Sequence, residues 1–262
     1  MTRMYAVKKA GTVCKRTRYV SNTPNPSAAK APGKRSKEKR KRDKLRESVE
    51  KLGMLIAGNF DMKNDKSVVL TIPGAKKEKL KRKAKKDKTT YYLAALEDRN
   101  KFLKSFQRRM HAENRPFRCI AITSQHTRQG KRTNLHHHLL VNADALPYVT
   151  DAWTKWVRKT GKVFGVIVRS KTLYEDAGKG AGAYALAGYL LAQVTHYKNK
   201  SAYFASKNLE RPVVVEKGTV TCGFRLRAPS DAEILRMTGT DRNPTASITY
   251  RMNQKGGKHN KS

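Results

Sequence analysis

The sequence places three histidines in an unbroken row, directly before an apolar run. The segment "TNLHHHLLVN" contains them as His136, His137 and His138. Successive side chains of a β-strand point to opposite faces, so His136 and His138 share one face and His137 points to the other. Two imidazoles on the same face of a sheet can bind one divalent metal ion. We therefore predict a metal site on this strand.

A further ligand for this predicted metal site could come from the preceding strand. The segment "FRCIAITSQ" ends at Gln125, and His126 follows it. The alternation of side chains lets only one of these two residues face the metal ion. Imidazole is the better ligand of the two, which favours His126. In the alternative interpretation, His126 is a solvated residue of the hairpin.

A metal ion on a basic protein suggests phosphate chemistry, because the ion neutralises charge that develops on phosphodiester oxygens. No aspartate cluster accompanies the histidines, which disfavours a two-metal nuclease with a carboxylate cage. A covalent route needs a side-chain nucleophile, and tyrosine is one of the few that serve. The Ala- and Leu-rich segment "GAGAYALAGYLLAQVTHY" offers three: Tyr184, Tyr189 and Tyr197.

The hydrophobic periodicity predicts the elements that must position these residues. The strands are "KSVVLTIPG" (66–74), "FRCIAITSQ" (117–125), "HHHLLVN" (136–142) and "KVFGVIVRS" (162–170); the helices cover about 90–111, the region of Val149 to Val157, and 180–197. The order strand–helix–strand–strand–helix–strand, followed by a helix, matches the split βαβ, ferredoxin-like arrangement. The predicted fold class is therefore α+β, with an antiparallel sheet flanked by helices.

The charge of the chain indicates a polyanionic partner. Lysine and arginine number 58 against 20 acidic residues, a net charge of +38, and nucleic acid is the simplest partner for such an excess. Two basic blocks, 30–46 and 76–88, are expected to contact phosphates without reading sequence. With two residues of the hairpin linker, the predicted DNA-contacting residues are Lys39, Arg40, Lys41, Arg42, Lys81, Arg82, Lys83, Lys85, Lys86, Lys131 and Arg132.

The sequence also indicates where the protein resides. No apolar run approaches the length that spans a bilayer, and the N-terminus has no apolar signal-peptide core. The three cysteines are widely separated and lack C-x-x-C spacing, so they predict neither a disulfide framework nor a zinc cluster. We therefore expect a protein of the cytoplasm that does not bind membranes.

Three motifs, taken in order, resemble those of the rolling-circle replication initiators of the HUH endonuclease superfamily, found in phages and plasmids. The strand "VVLTIP" resembles the first motif of the family. The segment "GKRTNLHHHLLV" resembles the second, in which two histidines flank one residue before an apolar run. The helix "GAYALAGYLLAQ" resembles the third, which presents the nucleophilic tyrosine. The resemblance covers about 66–212, more than half of the chain.

The resemblance implies that His136 and His138 hold Mg²⁺ or Mn²⁺ while a helix tyrosine attacks single-stranded DNA at a replication origin. The products are a 5′-phosphotyrosine and a free 3′-OH for a host polymerase, working with a host helicase. Tyr189 is favoured as the nucleophile and Tyr184 is second, because Tyr189 precedes the apolar "LLA" and shares a helix face with Gln193. The chain departs from the family where a lysine usually follows the tyrosine by three or four residues.

The resemblance also implies a domain organisation. Residues 1–60 are expected to form a basic N-terminal arm, partly disordered or helical. Residues 61–212 are expected to form the HUH-type nicking domain. Residues 213–262 are expected to form a C-terminal extension that adds at most one strand, in "VTCGFRLRA", before a frayed tail.

Two alternatives remain open. A transposase or relaxase of the same superfamily would use the same residues. A non-catalytic basic protein of ribosomal or chromatin type would explain the charge equally well, but it gives no reason for His136 and His138 to share a strand face. The meeting of a divalent ion and a tyrosine hydroxyl group would distinguish the two classes.

Overall fold

A computed structural model of the chain describes residues 2–21, 36–126, 132–162, 167–177, 182–194, 201–220, 226–239 and 245–252. Within these residues the protein is α+β, with two antiparallel five-stranded sheets and flanking helices, so the predicted fold class is confirmed. The backbone divides into two compact units. The terminal unit comprises Met1–Asn59 and Glu210–Ser262, and the central unit comprises Phe60–Leu209.

The elements follow one another along the chain as described here. They are β1 (Thr2–Ala10), β2 (Val13–Ser21), α1 (Lys37–Asn59), β3 (Lys66–Thr71), α2 (Gly74–Lys86), α3 (Tyr91–Ala112), β4 (Cys119–His126), β5 (Arg132–Val141), a 3₁₀ turn (Ala143–Ala145), α4 (Leu146–Arg158), β6 (Val168–Thr172), α5 (Leu173–Ala177), α6 (Ala183–Ala192), β7 (Phe204–Ala205), β8 (Val213–Thr219), β9 (Ala232–Thr238) and β10 (Ala246–Met252). Among the described helices, none is long and apolar enough to cross a lipid bilayer.

The central sheet has the strand order β6-β3-β5-β4-β7, and every neighbouring pair is antiparallel. Its first four strands follow the split βαβ pattern, in which β5 lies between β3 and β4. The strand predicted at 66–74 and the helix predicted at 90–111 are confirmed as β3 and α3. Part of the strand predicted at 162–170 lies outside the described residues, and β6 begins at Val168.

One face of the central sheet packs against helices and forms the main core. Leu70, Ala121 and Leu139 are fully buried there, in the same cluster as Phe102 and Trp153. The rings of Phe102 and Trp153 meet edge to face, with centroids 5.0 Å apart, and the indole N–H of Trp153 donates to the backbone carbonyl of Thr71 at 3.2 Å. This core fixes β3, β4 and β5 against α3 and α4.

The basic block 76–88 does not interrupt the fold, because most of it is the helix α2. Leu80 and Ala84 are four residues apart and both buried, which gives α2 a narrow apolar stripe. Lys76 is also buried, and its ammonium group pairs with Asp98 of α3 at 2.8 Å. Although the sequence of this block suggests fully solvated charge, one face of α2 packs against α3.

The predicted N-terminal arm is wrong for residues 2–21, which form the hairpin β1–β2 instead of a disordered or helical segment. Val7, Ala10 and Val13 are buried on the two strands, although basic residues surround them in the sequence. Gly11 makes the tight turn with a φ of +56°, a conformation that favours glycine. The many basic residues of the hairpin concealed its two strands in the sequence.

The terminal sheet has the order β8-β1-β2-β10-β9 and joins the two ends of the chain. The predicted C-terminal extension with at most one strand is therefore wrong, since the structure has three strands there. Most of the expected added strand in "VTCGFRLRA" lies outside the described residues. The pairing of β1 with β8 depends on contacts such as Tyr5 to Glu216, 211 residues apart in the chain, which local patterns do not report.

Candidate active site

The structure places His136 and His138 on the same face of β5. Across the sheet they oppose Ser124 and Ile122 of β4, and their Nε2 atoms are 3.1 Å apart. Two nitrogen ligands that meet a metal ion at right angles, each at about 2.1 Å, lie about 3 Å from one another. The spacing of the two imidazoles therefore fits a shared metal ion.

The ring of His136 is oriented by its own strand. Its Nδ1 atom lies 2.8 Å from the backbone carbonyl oxygen of Asn134. Because a carbonyl oxygen only accepts hydrogen bonds, Nδ1 carries the proton and Nε2 of the neutral ring carries a lone pair. A carbonyl group at the outer nitrogen is a common device for orienting a ligating histidine. When the ring is neutral, this arrangement directs the Nε2 lone pair of His136 to a metal ion.

His138 is buried and neutral. Burial, and then the charge of His136, lower its pKa to about 3, and a hydrogen bond with Gln193 acts in the opposite direction. A neutral imidazole is the form that binds metal. Its Nδ1 atom is buried without a hydrogen-bond partner in the described parts of the chain. In a metal-bound His138 that atom would hold the proton, and an N–H without an acceptor would cost about 1–3 kcal/mol of binding.

The tyrosine that meets the histidine pair is Tyr189. Its ring lies against His138, with centroids 6.1 Å apart and planes at 80°. Tyr189 is partly exposed on α6. Tyr184, the second predicted nucleophile, is 8% exposed, which suits packing better than attack on a polymer. Tyr197 lies outside the described residues.

Gln193 is a site residue that the sequence interpretation did not assign. It lies at the end of α6, four residues after Tyr189, and is 3% exposed. Its amide nitrogen donates to the backbone carbonyl of Tyr189 at 3.2 Å, and its side-chain oxygen accepts from Ser124 at 3.2 Å. Together with its hydrogen bond to His138, these contacts join Tyr189, β4 and the histidine pair. The only signal in the sequence was the spacing from Tyr189.

The structure does not bring the two predicted third ligands to the histidine pair. Gln125 follows Ser124, so it points to the opposite face of the sheet and lines a separate cavity. The pairing register shifts between Ser124 and His126, which places His126 opposite Arg132. Within the described ranges, no group of three His, Cys, Asp or Glu side chains is placed to hold a metal ion. Gln193, which is hydrogen-bonded to His138, supplies a further donor beside the pair.

Behind the histidine pair, a buried polar chain ties the strands to α3. His137 points away from the candidate site, and its Nδ1 atom lies 3.0 Å from the hydroxyl group of Thr123. That hydroxyl group also accepts from the guanidinium of Arg99 at 3.0 Å. Burial, and then the charge of Arg99, hold the pKa of His137 well below its ordinary value. Burial also lowers the pKa of Arg99, to about 10.

The predicted DNA-contacting residues fall on both units. Lys39, Arg40, Lys41 and Arg42 are exposed on α1 of the terminal unit, and Lys81, Arg82, Lys85 and Lys86 are exposed on α2 of the central unit. Lys83 pairs with Glu97 at 2.6 Å and is less available. Lys131 lies outside the described residues, and Arg132 belongs to β5, although its side chain is not among those described.

Comparison of the chain with models of known protein families, with curated proteins and with solved structures gives no match. The arrangement itself has a definite chemical capacity. It offers two imidazole groups, an amide group and a phenol within one small region. These groups suit a reaction on a phosphodiester more than on an uncharged substrate.

Proposed function

We propose that this protein is a metal-dependent DNA-nicking and joining enzyme that starts rolling-circle replication of a phage or plasmid, in the cytoplasm of the host. The observation that carries the proposal is the contact of Tyr189 with the His136–His138 pair on one face of β5. Taken alone, the tyrosine could be a packing residue, and the histidine pair could bind a metal ion without catalysing a reaction. Their juxtaposition supports covalent phosphodiester chemistry.

In the proposed reaction, the hydroxyl group of Tyr189 loses its proton and its oxygen attacks a phosphorus atom of single-stranded DNA. A bond forms between the tyrosine oxygen and phosphorus, and the bond from phosphorus to the 3′ oxygen breaks. The 3′ oxygen takes up a proton and becomes the 3′-OH that a host polymerase extends. The phosphotyrosine linkage is itself a phosphodiester. Attack by a 3′-OH on its phosphorus therefore rejoins a strand and releases the tyrosine.

The residues fit a divalent ion of the Mg²⁺ or Mn²⁺ type. The Nε2 atoms of His136 and His138 would hold it, and the amide oxygen of Gln193 is the further donor at hand. The bound ion would neutralise charge on the phosphate oxygens. Gln193 also holds the backbone of Tyr189, so it fixes the nucleophile relative to the pair.

A second candidate function is nucleic-acid binding without catalysis. Two observations favour it: the described residues supply no third His, Cys, Asp or Glu ligand, and the buried Nδ1 atom of His138 has no partner among them. A relaxase or transposase would share the proposed reaction and differ in the DNA that it processes. The net charge of +38 is compatible with all of these.

The test is formation of a covalent protein–DNA adduct. The protein is incubated with Mn²⁺ and a labelled single strand that carries the presumed origin of its own element, and the products are separated on a denaturing protein gel. We expect an adduct that survives denaturation, disappears in Tyr189→Phe and His138→Ala, and persists in Tyr184→Phe. Tyr184→Phe is the matched control, because it removes a hydroxyl group from the same helix.

Other outcomes are equally informative. An adduct that persists in Tyr189→Phe and disappears in Tyr184→Phe would retain the reaction but reject Tyr189 as the nucleophile. The absence of any adduct on origin-bearing strands, together with tight and salt-sensitive binding, would reject the enzyme in favour of the binding protein. Gln193→Glu should retain the adduct if this side chain is a metal donor, because a carboxylate also binds these ions.

A further inference from the structure

A cavity opens in the central unit where α2 and α3 lie near the end of β4 and the start of β5. Its volume is about 610 Å³, within the range of about 300–1,000 Å³ of small-molecule sites. These four elements all contribute to it. Its lining includes Lys77 and Lys81 from α2, Tyr91 from α3, Gln125 from β4, and Asn134 and Leu135 from β5.

Tyr91 supplies an aromatic surface to this cavity. It stands at the first position of α3 and packs against the core while it remains partly exposed. Burial raises its pKa to about 12, so the ring is an uncharged phenol at neutral pH. Tyrosine rings are the common platform on which unpaired bases stack in single-stranded nucleic acid. Leu135, which is 3% exposed, adds an apolar surface at the same place.

The amide groups of Gln125 and Asn134 line the cavity beside the ring. Each side-chain amide presents a donor and an acceptor close together. Adenine presents the complementary pair, an N6 donor and an N7 acceptor, and Asn and Gln are the side chains that bind this pair in a bidentate manner. The cavity thus combines a stacking surface with groups that recognise a base edge.

Two lysines stand at the mouth of the cavity, four residues apart on α2 and therefore on one helix face. The ammonium group of Lys77 is 3.5 Å from the side-chain oxygen of Asn134. Lys81 pairs with Glu78 at 2.8 Å, but both side chains are about half exposed, so the pair is easily exchanged for a phosphate. Lysines so placed suit the phosphates that flank a bound base.

We propose that this cavity binds one unpaired base of the single-stranded DNA substrate, with a preference for adenine, and that Lys77 and Lys81 contact its flanking phosphates. The proposal rests on the proposed function for its substrate. Asn134 lines the cavity with its side chain, while its backbone carbonyl accepts the hydrogen bond that orients His136. One residue therefore connects base recognition to the histidine pair, and the cavity sets which nucleotide stands at a fixed distance from the cut.

Binding without cleavage tests this directly. Fluorescence anisotropy in EDTA compares a labelled oligothymidine with strands of the same length that carry one dA, dG or dC at a central position. We expect the dA strand to bind at least about fivefold more tightly than oligothymidine, the lower end of the discrimination expected from a bidentate contact. Replacing that dA with 7-deazaadenine, which lacks the N7 acceptor, should remove most of the preference.

Variants assign the preference to the cavity. Gln125→Leu and Tyr91→Leu should bind the dA strand no better than oligothymidine, whereas Tyr91→Phe keeps the ring and should keep most of the preference. Tyr148→Leu is the matched control. Tyr148 is a partly buried tyrosine on α4 of the same unit, where its ring stacks with the guanidinium of Arg115 and does not line the cavity. Tyr91→Phe and Gln125→Leu still decide the question if Tyr91→Leu does not fold.

The proposal is overturned if Gln125→Leu and Tyr91→Leu retain the wild-type preference, or if the wild-type protein shows no preference. A preference for dG or dC that disappears in the same variants would overturn the assignment to adenine. These results are independent of the adduct assay, since EDTA prevents metal-dependent chemistry. A cavity-dependent preference in a protein that forms no adduct would support base recognition and reject the nicking enzyme.

Discussion

The two units of this protein carry similar charge on similar sheets, yet β4 of the central sheet and β8 of the terminal sheet differ in burial. The terminal unit has 27 basic and 9 acidic residues, and the central unit has 31 and 11. Each contains an antiparallel sheet of five strands. In the central sheet, Cys119 to Ser124 of β4 are all buried. In the terminal sheet, Val213, Val214 and Val215 of the edge strand β8 are more than half exposed.

This difference shows that the positive charge alone does not locate chemistry. Strong pKa shifts require desolvation, and a strand that faces solvent on both sides cannot provide it. His137 and His138 are buried in the central sheet, and burial is the main cause of their lowered pKa values. The exposed strands of the terminal sheet instead offer basic groups to solvent, which suits contacts with phosphates.

The largest expected effect tests the contrast in burial. Leu139 of β5 is fully buried in the main core, so Leu139→Ala should lower the free energy of unfolding by about 2–5 kcal/mol. Val214→Ala on β8 is the matched control, since Val214 is 54% exposed and its truncation should change stability by no more than about 0.5 kcal/mol. Urea denaturation followed by circular dichroism measures both. Similar losses in the two variants would contradict the contrast.

An intermediate effect concerns the dependence of stability on pH. His137 and His138 have pKa values below 6.5 in the folded protein, so the unfolded chain binds protons first as the pH falls below 6.5. Proton uptake by the unfolded state lowers the free energy of unfolding, by up to about 1.4 kcal/mol per pH unit for each histidine. For His138 this loss continues to a pH of about 3. Above pH 6.5 the contribution of the two neutral histidines to the free energy of unfolding is fully present.

His137→Phe isolates one of these histidines. The free energy of unfolding, measured by urea denaturation between pH 6.5 and 4, should fall less steeply with decreasing pH in this variant. The difference in slope should be up to about 1.4 kcal/mol per pH unit. His111→Gln provides the control, because His111 is an exposed histidine on α3. A slope in His137→Phe equal to that of the wild-type protein would show that the acid sensitivity arises elsewhere.

The smallest expected effect concerns single charges on the two units. Lys41→Gln on α1 and Lys85→Gln on α2 should each reduce the slope of log K against log salt by about 0.7 for single-stranded DNA, the contribution of one phosphate contact. Lys155→Gln is the control, since Lys155 lies on α4 and is not among the predicted DNA-contacting residues. Anisotropy titrations at several salt concentrations give the slopes. An unchanged slope for Lys41→Gln would remove α1 from the predicted DNA contacts.

Much of the central unit could be predicted from the sequence because its signals are local. The β-branched run at β3 and the apolar period of α3 report the immediate neighbours of each residue, and both elements are where the patterns predict them. The shared face of His136 and His138 could also be predicted from a local signal. The period of two along a strand places both on one face whatever the rest of the chain does.

Tertiary structure decided what depends on contacts between distant segments. The terminal sheet could not be predicted, because its strands come from both ends of the chain, and lysine and arginine interrupt the apolar pattern of β1 and β2. Alternation along β4 turns Gln125 to the opposite face, a register shift after Ser124 places His126 opposite Arg132, and the end of α6 brings Gln193 to the histidine pair instead. The sequence alone determined which residue types were available and which faces they share locally. Packing determined which of them meet, because side chains from different elements are brought together only when those elements bury their apolar faces.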